Sequence, residues 1–169
     1  MVSSNGGIGA MKLKIRLARA EDKKEILSVI GSHSFKWDKN IAKRYYDDYF
    51  SSKKDMCLKG DEVFVGEENG TIVGVIGYSL DRYETRNYWL GWFYVRGDST
   101  KKGYGSELLK NIERRLRKEK VRKLFVDTSS HYFYKQALKF YIDNGFTVET
   151  VIKDYYGEGE DQIILSKMI

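Results

Sequence analysis

Polar and apolar positions alternate from Lys12 to Ala18, with Leu13, Ile15 and Leu17 set against Lys12, Lys14 and Arg16. A period of two is that of a half-buried strand. The acids of Ala20-Glu21-Asp22 then stand where a helix starts, and Ile26, Leu27 and Ile30 form a helical stripe. Asp38 is placed to cap a second helix whose stripe is Ile41, Tyr45 and Tyr49. Residues 51–60 read as polar loop. Val63 and Val65 lie in a strand ending at Glu68, and Asn69-Gly70 is the strongest short hairpin signal in the chain. The returning strand, Thr71–Ser79, is apolar on both faces and is expected at the sheet centre.

A polar turn, Asp81–Arg86, leads into the aromatic run Trp89–Val95, which is strand-like in composition and length. A polar connection and the glycine turn Gly103-Tyr104-Gly105-Ser106 follow. Leu108, Leu109, Ile112 and Leu116 then repeat at helical spacing. Lys123–Val126 is a short strand ending in Asp127-Thr128-Ser129-Ser130. A helix is expected from about Tyr134 to Asp143, stopped by Asn144-Gly145. Phe146–Ile152 and Gln162–Leu165 are two more strands, joined by the Gly157–Gly159 loop. The order is strand, two helices, three strands, helix, strand, helix, two strands. This is mixed α/β, with hairpins before a βαβ crossover, and not the strict alternation of a doubly wound fold.

Composition narrows the classes. A chain of 169 residues with 41% hydrophobic content suits one domain, spanning 12–169. Residues 1–11 read as a disordered tail or an appended remnant, with Met11 as a candidate start. No apolar run approaches a membrane span, and MVSSNGGIGA lacks the charged start and apolar block of a secretory signal. The single Cys57 excludes an internal disulfide framework and fits a reducing cytoplasm. One Cys with His33 and His131 gives no metal-ligand cluster, so no metal is expected. The net charge of +6, concentrated at Lys101–Lys102 and between Arg114 and Lys123, suits a polyanionic cofactor, nucleic acid, or solubility alone. The basic run closes a helix, where the dipole favours cations in any case.

The glycine turn carries the most specific chemistry. A strand feeding a glycine turn that opens a helix leaves backbone N–H groups unpaired, which together with the helix dipole suit a phosphate. The G-x-x-x-x-G-K-[ST] loop is absent, and Leu108 stands where a dinucleotide fingerprint needs its third Gly.

Thr100-Lys101-Lys102-Gly103-Tyr104-Gly105 resembles motif A of the GNAT acyltransferase superfamily, R/Q-x-x-G-x-G/A, with Thr100 in place of the usual Arg or Gln. FYKQALKFYIDNGF is similar to that superfamily's A-x-x-x-Y-x-x-x-G-F ending, at Ala137, Tyr141, Gly145 and Phe146. VDTSS and IKDYYGEGEDQ resemble the ETSS and D-[FY]-Y-x-x-G-D-D-K strings of a bacterial and archaeal subgroup. The element order is that of the GNAT fold, and the resemblance runs from about Leu13 to the C-terminus. It implies a mixed sheet of about seven strands flanked by about four helices.

The resemblance also implies an N-acetyltransferase that passes an acetyl group from acetyl-CoA to a primary amine by direct attack in a ternary complex. Coenzyme A would lie on the backbone of Phe93, Tyr94 and Val95 and on Thr100, Lys101, Lys102, Gly103, Tyr104, Gly105 and Ser106. Ser130 and Tyr134 would be further contacts, Tyr134 standing where relatives often carry Asn. Tyr141 would be the general acid. Gly91 occupies the place of the subgroup's usual acidic residue, so Glu84 or Asp81 on the preceding turn is the substitute base, with a water relay as the alternative. The acceptor would be a small-molecule or peptide amine, with no membrane or nucleic-acid partner and with aromatic content that allows a homodimer. A non-catalytic acyl-CoA sensor and a basic nucleic-acid-binding domain are the rival readings.

Overall fold

The computed structural model describes residues 13–33, 36–51, 60–81, 83, 85–99 and 102–169, with Lys36 and Trp37 described by backbone alone. The tail, Lys12, the loop over 52–59 with Cys57, Glu84, Thr100 and Lys101 therefore lie outside the described residues. The elements run β1 (Lys14–Leu17), α1 (Lys23–Gly31), α2 (Lys36–Tyr49), β2 (Glu62–Glu68), β3 (Thr71–Leu80) and β4 (Asn87–Val95). They continue through α3 (Tyr104–Lys118), β5 (Lys123–Ser129), α4 (Lys135–Asp143), β6 (Thr147–Gly157) and β7 (Glu160–Met168). The strands form one sheet in the order β1-β2-β3-β4-β5-β7-β6, antiparallel except where β4 meets β5. This is the expected seven-stranded mixed sheet with four helices. Among the described residues no helix is long and apolar enough to cross a membrane.

Each face of the sheet carries its own core. On one side α3 and α4 bury Leu108, Leu109, Ile112, Leu116 and Tyr141 over Phe64, Ile76, Leu124 and Leu165. On the other, α1 and α2 bury Ile26, Val29, Ile30 and Tyr46 over Val63, Val65 and Val75. β3 is buried from Ile72 to Tyr78, as its two-sided apolar pattern predicts. Asn69 (φ 51°) and Gly70 (φ 79°) both adopt the left-handed conformation that a tight hairpin needs. The helix α3 sits close on β2 and β3. A Cβ on Gly74 would come within 2.6 Å of Leu108 Cδ1, and one on Gly66 within 3.2 Å of Leu108 Cδ2.

Three expectations are corrected. The buried stripe of α2 is Ala42, Tyr46 and Tyr49, while Ile41 is 48% exposed. Asp38 lies inside the first turn of α2 and its carboxylate bonds side chains far along the chain instead of capping. The last three strands are longer than their apolar runs. β5 extends through Asp127 to Ser129, and β6 and β7 continue past a four-residue bulge between Ile152 and Gly157, where Asp154 has φ 52°. Asp161 supplies the missing ladder bonds there, accepting from the Asp154 N–H at 3.1 Å and pairing with Lys153 at 2.8 Å.

The β1–α1 corner is tied by an ion cluster. Arg16 binds Asp22 through two nitrogens at 2.6 and 3.0 Å and reaches Glu67 at 3.1 Å, and the Arg19 N–H donates to Asp22 at 2.7 Å. The Arg16 bond holds the Asp22 carboxyl below its ordinary value, against the opposing effect of burial. A depressed carboxyl contributes stability above its unfolded pKa and loses it as pH falls through the folded one. Asp22→Asn should therefore cost about 2 kcal/mol at pH 7. Urea unfolding of wild type and variant should show that gap narrowing below about pH 4.

Candidate active site

The site begins where the sheet splits. β4 and β5 are parallel and pair only at Asn87↔Lys123, Tyr88↔Leu124 and Trp89↔Phe125. Past Trp89, β4 runs on through Val95 and β5 through Ser129 without a shared ladder. The cause is a bulge. The β3–β4 register jumps between Val75↔Tyr94 and Gly77↔Gly91, and Trp92 takes up the extra residue at φ 49°. A bulge bends and twists its strand, and a bulky residue in the left-handed region costs about 1 kcal/mol or more. The packing of Trp92 against Tyr45 and Tyr46, with ring centroids at 5.4 and 5.9 Å, holds it there. Gly91, just before the bulge, opens onto free space: a Cβ there would meet nothing within 4 Å.

The upper end of the cleft is the start of α3. Gly103 caps it at φ 81° with no side-chain hydrogen bond, so a residue with a Cβ would be strained, and among the described residues no side chain accepts from the first-turn N–H groups. Of the residues expected to cradle a phosphate, Gly103, Tyr104, Gly105 and Ser106 all fall in this turn. The side chain of Tyr104 points elsewhere. It is 5% exposed in the core and its hydroxyl donates to Glu68, so only its backbone can serve the turn. Lys102 is also drawn to Glu68, at 3.5 Å. Val95 has its carbonyl 2.7 Å from His33 Nε2, which assigns His33 a structural bond and leaves the Val95 oxygen already partnered.

Tyr141 lies on the α4 side of the split. It is 7% exposed, with its ring against Phe93 (centroids 6.3 Å) and Phe146 (5.5 Å). Its hydroxyl has no hydrogen-bond partner among the described residues. Burial first, and the charge of Asp127 second, push this phenol well above the ordinary range near 10. It therefore carries its proton at neutral pH and can give it to a developing anion.

Two carboxylates complete the surroundings. Tyr94 and Tyr134 both donate to Oδ2 of Asp38, at 2.7 and 2.8 Å, which joins β4 and the turn before α4 to α2. Tyr156 and Gln162 both donate to Oδ2 of Asp127, at 3.1 and 2.9 Å. Burial and the neighbouring carboxylate raise Tyr94 and Tyr134, and burial with Asp127 raises Tyr156 to about 12. Ser130 is placed differently from the expected cofactor contact. Its Oγ accepts the Asp161 N–H at 2.8 Å and its N–H donates to the Asp161 carbonyl at 2.9 Å, pinning β7 to the end of β5. Asp81 accepts from Thr85 at 2.7 Å in the β3–β4 turn, at the Leu80↔Tyr88 end of β4, away from Tyr94.

Asp38 and Asp127 are the residues that sequence reasoning passed over. Asp127 was legible in part, since Leu124, Val126 and Thr128 are buried on one face of β5 and place Asp127 on the other. Nothing local marks Asp38, whose partner Tyr134 lies 96 residues away.

The model of the acetyltransferase (GNAT) family matches residues 21–146. The chain belongs to the GNAT family. Solved GNAT structures agree with the fold. An acetyltransferase of the GNAT family from Desulfovibrio desulfuricans is 24% identical, with a TM-score of 0.83 over 93% of this chain and 99% of that one. The ribosomal-protein-S18-alanine N-acetyltransferase of Escherichia coli is 19% identical, with a TM-score of 0.73 over 94% of each chain. The PaiA N-acetyltransferase of Thermoplasma acidophilum, solved with coenzyme A, is 20% identical, with a TM-score of 0.69 over 94% of this chain and 100% of that one. No curated protein matches. At these identities the neighbours establish the GNAT fold, and the residues of this chain carry the chemistry.

Proposed function

We propose that the protein is an acetyl-CoA-dependent N-acetyltransferase acting on a primary amine by direct attack in a ternary complex. The observation that carries this reading is the Tyr141 hydroxyl, which bonds no described residue, on a buried side chain beside the end of the β4–β5 ladder. The GNAT membership and the coenzyme A complex of the PaiA protein support the cofactor.

The residues fit coenzyme A. Gly103 gives a backbone turn with no Cβ in the way, and the N–H groups from Gly103 to Ser106 would hold the diphosphate. The β4 edge at Phe93 and Tyr94 would bind the pantetheine arm. Thr100 and Lys101 would flank the diphosphate, and Lys102 would add charge once freed from Glu68. Bound there, acetyl-CoA supplies an activated acyl group and a thiolate leaving group. Tyr141 holds the proton that the leaving sulfur requires. The amine arrives as an ammonium and must lose a proton before it attacks. Glu84, between β3 and β4 in the sequence, is a candidate for that step beside water.

The test has two arms. Thermal shift with coenzyme A reads the cradle, and thiol release with a panel of amines reads the transfer. Stabilisation together with amine-dependent thiol release is the expected result. Tight binding with no turnover on any amine would convert the reading to a non-catalytic acyl-CoA module.

A further inference from the structure

The turn that opens α3 is pinned from outside. Its left-handed Gly103 stands between Lys102 and Tyr104, and the side chains on either side of it end on one carboxylate. The Tyr104 hydroxyl donates to Oε1 of Glu68, and Lys102 Nζ donates to Oε2 at 3.5 Å. Glu68 closes β2, one residue before the Asn69-Gly70 hairpin, so that hairpin is tied to the first turn of the helix. Lys102 also lies over the Tyr104 ring, 5.7 Å from its centroid.

The two bonds differ in what breaking them costs. Tyr104 is anchored in the core and the Glu68 side chain is only 14% exposed, so the bond between them stays with the fold. The Lys102 side chain is 51% exposed on a flexible stem, and water can take over its ammonium at little cost. Space over Gly103 is open, since a Cβ there would meet nothing within 4 Å. Lys102 therefore has a second place for its charge, on an anion held by the first-turn N–H groups. Glu68 and that anion compete for one ammonium.

We propose that Glu68 is a latch on this turn: it withholds Lys102 in the free protein, yields it to the diphosphate of coenzyme A on binding, and recovers it on release. Tyr104 keeps its own bond to Glu68 throughout and holds the turn in place. This role rests on the reading of the α3 turn as a diphosphate cradle, and adds to it the residue that sets how tightly the cradle holds. What Lys102 gains from the diphosphate is partly offset by the pair it leaves. The cradle then binds less tightly than its donors alone would allow, and the re-formed pair favours departure of the spent cofactor.

The experiment is a double-mutant cycle read by calorimetric titration of the full chain with coenzyme A. Glu68→Gln keeps an oxygen for the Tyr104 hydroxyl and removes the charge that holds Lys102. It should tighten binding by about threefold to fivefold, the scale of a half-exposed ion pair. Lys102→Met should weaken binding, and in that background Glu68→Gln should bring no gain, because no ammonium is left to release. An unchanged affinity in Glu68→Gln overturns the proposal. So does an equal gain with and without Lys102, which would make Glu68 a plain repulsive charge. The unaltered protein gives a second readout. The Glu68 charge holds the Lys102 ammonium above the ordinary lysine range in the free chain, and its nitrogen resonance should move when coenzyme A binds. A resonance that stays put in the complex overturns the latch even where a variant fails to fold. The expected cycle without thiol release on any amine would leave the latch standing and remove the acetyltransferase reading. Amine-dependent release with a flat cycle would do the reverse, and no binding of coenzyme A at all would overturn both.

Discussion

Tyr141→Phe is expected to lower the turnover number for amine-dependent thiol release by about 10²-fold to 10⁴-fold, the range for loss of a positioned general acid. The KM for acetyl-CoA should stay within about twofold, because the ring that packs on Phe93 and Phe146 is kept. Thermal stability should hold or rise. The lost hydroxyl bonds no described residue, so removing it breaks no hydrogen bond while the buried ring stays in place. This pairing of lost rate with retained stability separates a proton donor from a core tyrosine. Because burial and Asp127 hold the phenol above its ordinary value, the wild-type rate should show no alkaline loss from this group below about pH 10. An unchanged rate in the variant removes Tyr141 from the mechanism.

The second large effect is on stability. Leu108→Ala should destabilise the fold by about 4 kcal/mol, at the upper end for a buried leucine. Leu108 is fully buried and its two methyls lie over Gly74 and Gly66. Glycines carry no side chain that could move into the space, so the cavity stays open. For a chain of this length the melting temperature should drop by about 10 °C. The loss reaches function because Leu108 lies one turn into α3, whose first turn is the proposed diphosphate cradle. Coenzyme A should still bind the variant at low temperature, but with a smaller thermal shift. A melting point within a degree or two of wild type would mean that α3 repacks on the sheet.

The parts of this chain that could be read in advance are those governed by near neighbours. Leu108, Leu109, Ile112 and Leu116 repeat at helical spacing and all four are buried. Asn69-Gly70 makes its hairpin because only its own two backbone angles are at stake. Gly103 opens α3 for the same reason. The α2 face was misread because Tyr45 and Tyr46 are equivalent in a pattern of apolar and polar letters. Both rings pack on Trp92, and the sheet core takes Tyr46, fully buried among Val63, Val65 and Val75, while Tyr45 stays half-buried with its hydroxyl bonded to Asp61 at 2.9 Å. The ends of β5, β6 and β7 were cut short because their residues are polar. Asp161 and Ser130 hold them in the sheet with side-chain bonds that an apolar count does not register.

Taken alone, the sequence determined the order of elements, the buried stripe of α3, the glycine turn and the place of Tyr141 on α4. Each follows from periodicity or from a short motif, and each is settled within a few residues. Only the tertiary structure decided that the sheet parts after Trp89, that Asp38 leaves its helix end to receive Tyr94 and Tyr134, and that Asp127 receives Tyr156 and Gln162. Those outcomes depend on a backbone bulge and on bonds between residues far apart in the chain, for which no local pattern of side chains is a signal.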